Sequence, residues 1–425
     1  MAGGLTRRDF GRRIGLAGLG LAGGGLLGGL PAPAHAGAPA WRVFGSRGRG
    51  MAEFDLTMKT FMQQRNISCG SLAVARKGKL LLARGYTWSA DSKLFVHPLS
   101  LFRIASVSKP ITGAAVLKLV QDGKLKLTDR LTDLLTLTPP SGKKLDPRLN
   151  QVTVLRLLQH LGGWDSGVTT DPMFNDFAIS KALGVPLPVG RDDVIRHTSG
   201  LPLDHDPGSR YAYGNYDYML LGRIIEKVSG MPYDRYVQQK ILGPRGITRM
   251  RLAQTLKADA APREVPYVSQ RSGRTVLDGS GATVPAPYGS FNVENMDAHG
   301  GWLATAVDLV RFAGIFDGPS PVLSAASLSR AFAQPETGTN GDGWWYGCGW
   351  QVRNVAAGGR NIWHSGSLPG TYTVLVRRFD GVCYAALFNQ RDNAAGQAHN
   401  IDPELYRAAD ATKAWPNVDY YGQYF

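Results

Sequence analysis

Cysteine is scarce in this chain: three residues, Cys69, Cys348 and Cys383, and no Cys-x-x-Cys pair. That excludes a disulfide framework and a cysteine-based zinc centre. One disulfide or three buried thiols are the remaining states, and Cys69 and Cys383 both lie in strand-like segments. The eight histidines are scattered and none belongs to a His-Glu-x-x-His pattern, so neither a metal nor an organic cofactor is expected. There is no Gly-x-Ser-x-Gly elbow, which removes the conventional α/β-hydrolase. Acidic residues are few, 33 against 48 Lys and Arg, for a formal net charge of +15. The basic residues form no runs, no basic helix and no zinc finger, so the excess reads as dispersed solvated charge and not as a nucleic-acid surface. A long, strongly apolar run is also missing, so no transmembrane segment is expected after the leader.

What is present reads as a globular protein of more than one structural unit: 425 residues, 43% hydrophobic and 19% charged. The first 36 residues stand apart. Thr6-Arg7-Arg8-Asp9-Phe10 is a twin-arginine signature, Ile14 to Leu30 is a soft Gly-rich apolar run, and Ala34-His35-Ala36 offers a small-x-small cleavage site. The expectation is export by the twin-arginine route, to the periplasm or beyond, with cleavage near Ala36.

The hydrophobic pattern then divides the mature chain. Ser68–Arg76 and Lys79–Tyr86 flank Lys77-Gly78, and Thr371–Phe379 and Val382–Asn389 flank Asp380-Gly381, giving two β-hairpins at opposite ends. Trp345–Arg353 reads as one further strand, and Phe54–Gln64 as a helix. Helical patterns fill the middle: Pro110–Asp122, Thr153–His160, Tyr216–Ser229 and Tyr233–Ile241. Another starts near Thr305, and Asp402-Pro403 opens the last. These predict an α/β fold in which one antiparallel sheet is built from both chain ends, flanked by helices, with a mainly helical insertion. The expected division is a leader over 1–36, a sheet domain over 37–105 and 291–425, and a helical domain over 106–290, with a site in the cleft between the last two.

Ser106-Val107-Ser108-Lys109 carries the chemistry. Residues three apart on a helix share a face, so Lys109 would lie beside the Ser106 hydroxyl, and a desolvated lysine of lowered pKa can act as its base. Pro110 is tolerated only near a helix start, which puts Ser106 at an N-terminus, where free N–H groups favour an oxyanion. Ser141-Gly142-Lys143-Lys144 fits the same spacing but follows Pro139-Pro140 and precedes no apolar helix. Tyr213-Gly214-Asn215 is the sole Tyr-x-Asn and precedes a helix that Asn215 could cap. His364-Ser365-Gly366-Ser367 is a polar, strand-like stretch ahead of the final hairpin. His197 and His205, near Asp204 and Asp206, read as a solvated loop, His160 and His299 as structural histidines, and Asp192-Asp193 as a helix start.

With these segments, the sequence resembles the serine β-lactamases and penicillin-recognising enzymes, more narrowly the class C-like branch with its carboxylesterases and D-stereospecific peptidases. Phe102 to Lys109, Tyr211 to Asn215 and His364 to Gly366 carry the likeness; Leu157 to Asp165 and His299 to Trp302 are similar to a subset of that branch. The resemblance implies that Ser106 is acylated and that Lys109 and Tyr213 share proton transfer, which of them is the acylation base staying open. It implies that Asn215 orients substrate and that the N–H groups of Ser106 and Ser367 bind the oxyanion. His364 and Gly366 would line the same site. His364 stands where the family usually carries lysine; histidine, with an ordinary pKa near ~6.5, is mostly neutral, so carboxylate-bearing β-lactams should bind poorly. The implied partner is a small-molecule or short-peptide ester or amide, cell-wall fragments among the candidates. A D,D-carboxypeptidase or D-aminopeptidase, a weak β-lactamase, and a non-catalytic binding protein on the same fold are the alternatives. Asp165–Leu187 and Asp278–Asn292 are the expected walls of the site.

Overall fold

The computed structural model describes residues 38–392 and 400–425; the expected twin-arginine leader over 1–36 lies outside the described residues. In chain order the elements used below begin with β1 (Ala40–Arg47), α1 (Ala52–Gln64), β2 (Cys69–Arg76) and β3 (Lys79–Ser89). The central helices are α2 (Ser108–Gln121), α3 (Asn215–Ser229) and α4 (Ala306–Ala313). The chain closes with β4 (Trp345–Tyr346), β5 (Gln351–Asn354), β6 (Arg360–Leu368), β7 (Thr371–Arg377), β8 (Val382–Phe388) and α5 (Asp402–Ala411).

The eight strands form one antiparallel sheet in the order β1-β3-β2-β8-β7-β6-β5-β4. Both ends of the chain thus meet at the β2–β8 seam, where Leu72 faces Ala386 and Val74 faces Tyr384. Successive side chains of a strand point to opposite faces, and here both faces are covered, which is why β8 reads as an unbroken apolar run and β2 is buried along nearly its whole length. On one face Leu72, Val74, Tyr384 and Phe388 pack with Phe54, Met58 and Phe61 of α1 and Leu405 and Ala408 of α5. Each such fully buried large side chain contributes about 1.5–3 kcal/mol. On the other face Ala73, Ala75, Cys383 and Ala385 are small, and α4 lies against them. Thr305 caps α4 in reciprocal bonds with Asp308, so the helix begins where its Ser/Thr-x-x-acid signature says it should.

The two hairpin turns fall at Lys77-Gly78 and Asp380-Gly381, as their sequences require. Trp345–Arg353 is not one strand. It folds back at Gly347–Trp350 into the antiparallel pair β4–β5. Gly349, with φ +90°, makes that turn possible, and a Cβ there would stand 2.8 Å from the Lys109 carbonyl oxygen. The turn therefore wedges against the first turn of α2. The expected helix Tyr233–Ile241 is helical throughout but changes its winding: Tyr233–Val237 is α-helical, and Gln238–Leu242 continues it with a wider turn.

Helix α2 is buried on nearly every side, from Ser108 to Leu119. A helix buried on nearly every side belongs inside a protein, and this one packs against α3, the helix Ala325–Ala331 and the Gln238–Leu242 segment. Its N-terminal end carries Lys109. All three cysteines are buried and free. Among the described residues no helix is long and apolar enough to cross a membrane.

Candidate active site

Ser106 does not sit in the α-helix proper. It occupies a short 3-10 turn, Ala105–Val107, that leads into α2. The strand Phe102–Arg103 runs directly into this turn and is pinned by Trp302–Ala304, while the Ile104 N–H donates to the Trp302 carbonyl at 3.0 Å. Ala105 has φ +47°, a left-handed conformation that is costly for a residue with a Cβ. The strain is held by packing on both sides, and it turns the Ser106 side chain toward Lys109.

Lys109 is wholly buried, yet it has three partners: Ser106 Oγ at 3.1 Å, Asn215 Oδ1 at 2.8 Å and the His299 carbonyl at 3.2 Å. Burial pulls its pKa down from 10.5 to about 7, against the opposing attraction of Asp171 and Asp217. Its Nζ also lies 4.6 Å from the centre of the Tyr213 ring. The Tyr213 hydroxyl hydrogen-bonds Ser106, but burial dominates and raises the phenol's pKa above its ordinary value. Near neutral pH, therefore, the amine is the group that can be proton-free and the phenol keeps its proton.

Asn215 is the first residue of α3 and does not cap it with its side chain. Instead the amide bridges two groups, Oδ1 accepting from Lys109 and Nδ2 donating to Asp171 Oδ2 at 2.7 Å. Asp171 belongs to the expected wall Asp165–Leu187 but was not legible as a site residue, because nothing local to Thr170-Asp171-Pro172 says what it faces. His160 and Asp217 form a buried pair at 3.1 Å, and the His160 ring lies 4.5 Å from that of Tyr213, so this pair backs the tyrosine. His299 enters through its backbone carbonyl alone, which no side-chain motif can signal.

The β6 segment completes the neighbourhood. β5 pairs with β6 only as far as Trp363, so from His364 to Leu368 the strand is paired to β7 alone among the described residues. A Cβ on Gly366 would stand 2.1 Å from the Ile104 carbonyl oxygen and 3.2 Å from the Ala105 Cβ. Only glycine lets β6 lie this close to the Ser106 turn. Ser367 follows it, exposed, opposite Tyr372. His364 is buried against the Tyr213 ring, 6.3 Å between centres. Its Nδ1 donates to the Ser365 carbonyl at 2.7 Å and its Nε2 accepts from the Tyr346 hydroxyl at 2.8 Å. Burial, aided by Lys109, lowers its pKa to about 3, so His364 is neutral. The expected second wall, Asp278–Asn292, is tied to the strand that leads into the Ser106 turn: buried Arg103 donates to the Pro287 carbonyl at 2.6 Å, and also to that of Gln254 at 2.7 Å. Asp204 lies in a loop, half-buried, as expected, and there accepts from the Asp165 N–H at 2.8 Å and from Thr169, tying that loop to the expected first wall.

A serine, a buried lysine, a tyrosine and an amide thus converge from the two ends of a sequence span of over a hundred residues. Residues 54–407 match the family Beta-lactamase. The chain belongs to that family of serine hydrolases. It is 30% identical over 204 residues to Protein flp of Staphylococcus aureus (strain COL), covering 48% of this chain and 38% of flp, so it spans well under half of that relative's length. Solved structures that it resembles share the fold at low identity. One is the octameric penicillin-binding protein homologue from Pyrococcus abyssi: TM-score 0.61, 23% identity, 88% of this chain and 80% of that one. Another is the D-stereospecific amidohydrolase from Streptomyces sp.: TM-score 0.63, 19% identity, 86% of this chain and 99% of that one.

Proposed function

We propose that this member of the family cleaves a small ester or amide through an acyl-enzyme on Ser106, and that Lys109 is the acylation base. One observation carries the reading: Lys109 is buried with two carbonyl-type acceptors and the serine hydroxyl as its partners. A neutral amine donates two protons to Asn215 Oδ1 and the His299 carbonyl, which leaves its lone pair for the proton of Ser106. Ser106 Oγ then attacks the substrate carbonyl carbon. The oxyanion is held by the backbone N–H groups of Ser106 and Ser367, and the C–O or C–N bond breaks. The leaving group departs with a proton relayed from Lys109 through the Tyr213 hydroxyl. Water attacks the acyl carbonyl next, its proton passes back along the same pair, and Ser106 is released.

The substrate class follows from His364. Both of its nitrogens are engaged and it bears no charge, so it offers no cation to a carboxylate beside the scissile bond. Neutral esters and amides, those of D configuration to which the name of the D-stereospecific amidohydrolase from Streptomyces sp. points among them, fit this reading better than penicillins or D,D-peptides with a free carboxylate. The twin-arginine motif supports work outside the cytoplasm.

The test is a substrate panel with parent and Ser106→Ala: a short-chain p-nitrophenyl ester, a D-alanyl p-nitroanilide, D-alanyl-D-alanine and a chromogenic cephalosporin, with intact mass after a phosphonate. Ser106-dependent turnover of the neutral substrates and one covalent adduct are expected. Turnover of the cephalosporin or the dipeptide at rates matching the ester would sink the assignment made from His364. An inert, unlabelled parent would leave a binding protein on a hydrolase fold.

A further inference from the structure

The carboxylate beside Asn215 has no role in the chemistry above, and its contacts are specific. Asp171 opens a short 3-10 turn, Pro172–Phe174, and its Oδ1 accepts from the Met173 N–H at 3.0 Å. That bond and the proline that follows hold the carboxylate in one orientation. Its second oxygen is then free to face Asn215, and it takes the Nδ2 donor at 2.7 Å. An asparagine amide has one accepting end and one donating end of nearly the same shape, so its environment decides which way round it sits. A carboxylate accepts only. With Asp171 on one side, the amide must present Oδ1 to the other side, where Lys109 donates to it at 2.8 Å. Reversed, the amide would set N–H groups against the amine and take away one of the two acceptors that direct its lone pair.

We propose that Asp171 is a positioning residue: it locks the Asn215 amide with Oδ1 toward Lys109 and so aims the lysine lone pair at Ser106. The inference rests on the reading of Lys109 as base. It has a second, electrostatic face. The titratable and charged groups around Lys109 are Asp171 and Asp217, the neutral histidines His160, His299 and His364, and the phenols Tyr213 and Tyr218. Only the two acids favour the ammonium form; burial raises the pKa of both, Asp217's well above its ordinary value, so Asp171 is the one that holds the amine's pKa higher than burial alone would allow.

The experiment compares parent, Asp171→Asn and Asp171→Ala in the rate of Ser106 labelling by a p-nitrophenyl phosphonate across the pH range, followed by intact mass. Steady-state kcat and KM on p-nitrophenyl acetate are measured beside it. An asparagine at 171 can still accept from Asn215 but carries no charge, so the acid limb of labelling should move to lower pH by about one unit. Alanine removes the lock, and labelling at the optimum and kcat should fall about 100-fold with KM changed less than about twofold. Parent-like rates and limb midpoints in both folded variants overturn the inference, and so does a loss of rate with an unmoved limb in Asp171→Asn, which marks a structural role only. If the alanine variant does not fold, the limb of the asparagine variant decides. A parent that takes no label at Ser106 overturns the hydrolase reading and this inference together; a labelled parent with indifferent variants overturns the inference alone.

Discussion

Replacing Lys109 by methionine removes the charge while keeping a flexible chain of similar length, and its effect on stability can be worked out from the buried amine. Folded, Lys109 holds its proton only below about 7; in the unfolded chain it holds it up to about 10.5. Between those values the unfolded state binds one more proton, so rising pH favours the folded parent. Below about 7 the full cost of burying the amine is present, and it is relieved as pH approaches 10.5. The slope approaches 1.4 kcal/mol per pH unit, or about 3 kcal/mol between pH 7 and pH 9.5. The methionine variant lacks this term, and groups titrating alike in both proteins cancel in the difference. Its absolute stability also contains the loss of a donor to Asn215 Oδ1 and the His299 carbonyl, so the pH dependence of the difference is the quantity to read. Urea unfolding of both proteins at several pH values supplies it. The parent should gain roughly 3 kcal/mol on the variant over that interval, while the variant is inactive at every pH. A difference that is flat with pH would show that Lys109 is an ordinary lysine, and the argument for it as base would go with it.

Gly366→Ala should destabilise the fold by about 1–3 kcal/mol and slow phosphonate labelling of Ser106 by about tenfold or more, because its Cβ must displace Ile104 or β6. Parent-like labelling would mean that β6 can shift without cost to the site. Tyr213→Phe keeps the ring against His160 and Lys109 but removes the hydroxyl, so kcat on the ester should fall about 100-fold or more with unfolding little changed; a smaller loss would relieve the tyrosine of proton transfer. Burial raises all three thiols, Cys69 and Cys348 to about 12, so a disulfide reagent near neutral pH should find none in the native protein and three after denaturation. Reaction of one native thiol would place that cysteine at the surface.

The local pattern carried much of this protein. Both hairpins were legible because Lys77-Gly78 and Asp380-Gly381 are turn chemistry between apolar runs, and α4 was legible because Thr305 and Asp308 form a capping box. The sheet from both chain ends followed from where those hairpins lie. Ser106 and Lys109 could be paired in advance because three residues of near-helical chain bring them together whatever the rest does. The break at Gly347–Trp350 was missed because the aromatic flanks of Trp345–Arg353 outweighed the signal of Gly347 and Gly349, and Gly349, at φ +90° against the Lys109 carbonyl, is where the chain turns.

Long-range geometry decided what remains. The sequence can name Asn215 beside Tyr213 but cannot say that its amide faces Lys109, more than a hundred residues earlier, in preference to capping α3. Asp171, the His160–Asp217 pair and the His299 carbonyl carry no local signature, because a carboxylate, a buried histidine or a backbone oxygen is defined by what surrounds it. The same holds for charge. A lysine and a histidine are written in the chain, but their desolvation is a property of the packed interior, and it is the interior that brings Lys109 to about 7 and His364 to about 3. Spacing along the chain determined which residues could react with one another; burial, which exists only once the chain is folded, determined which of them holds the proton.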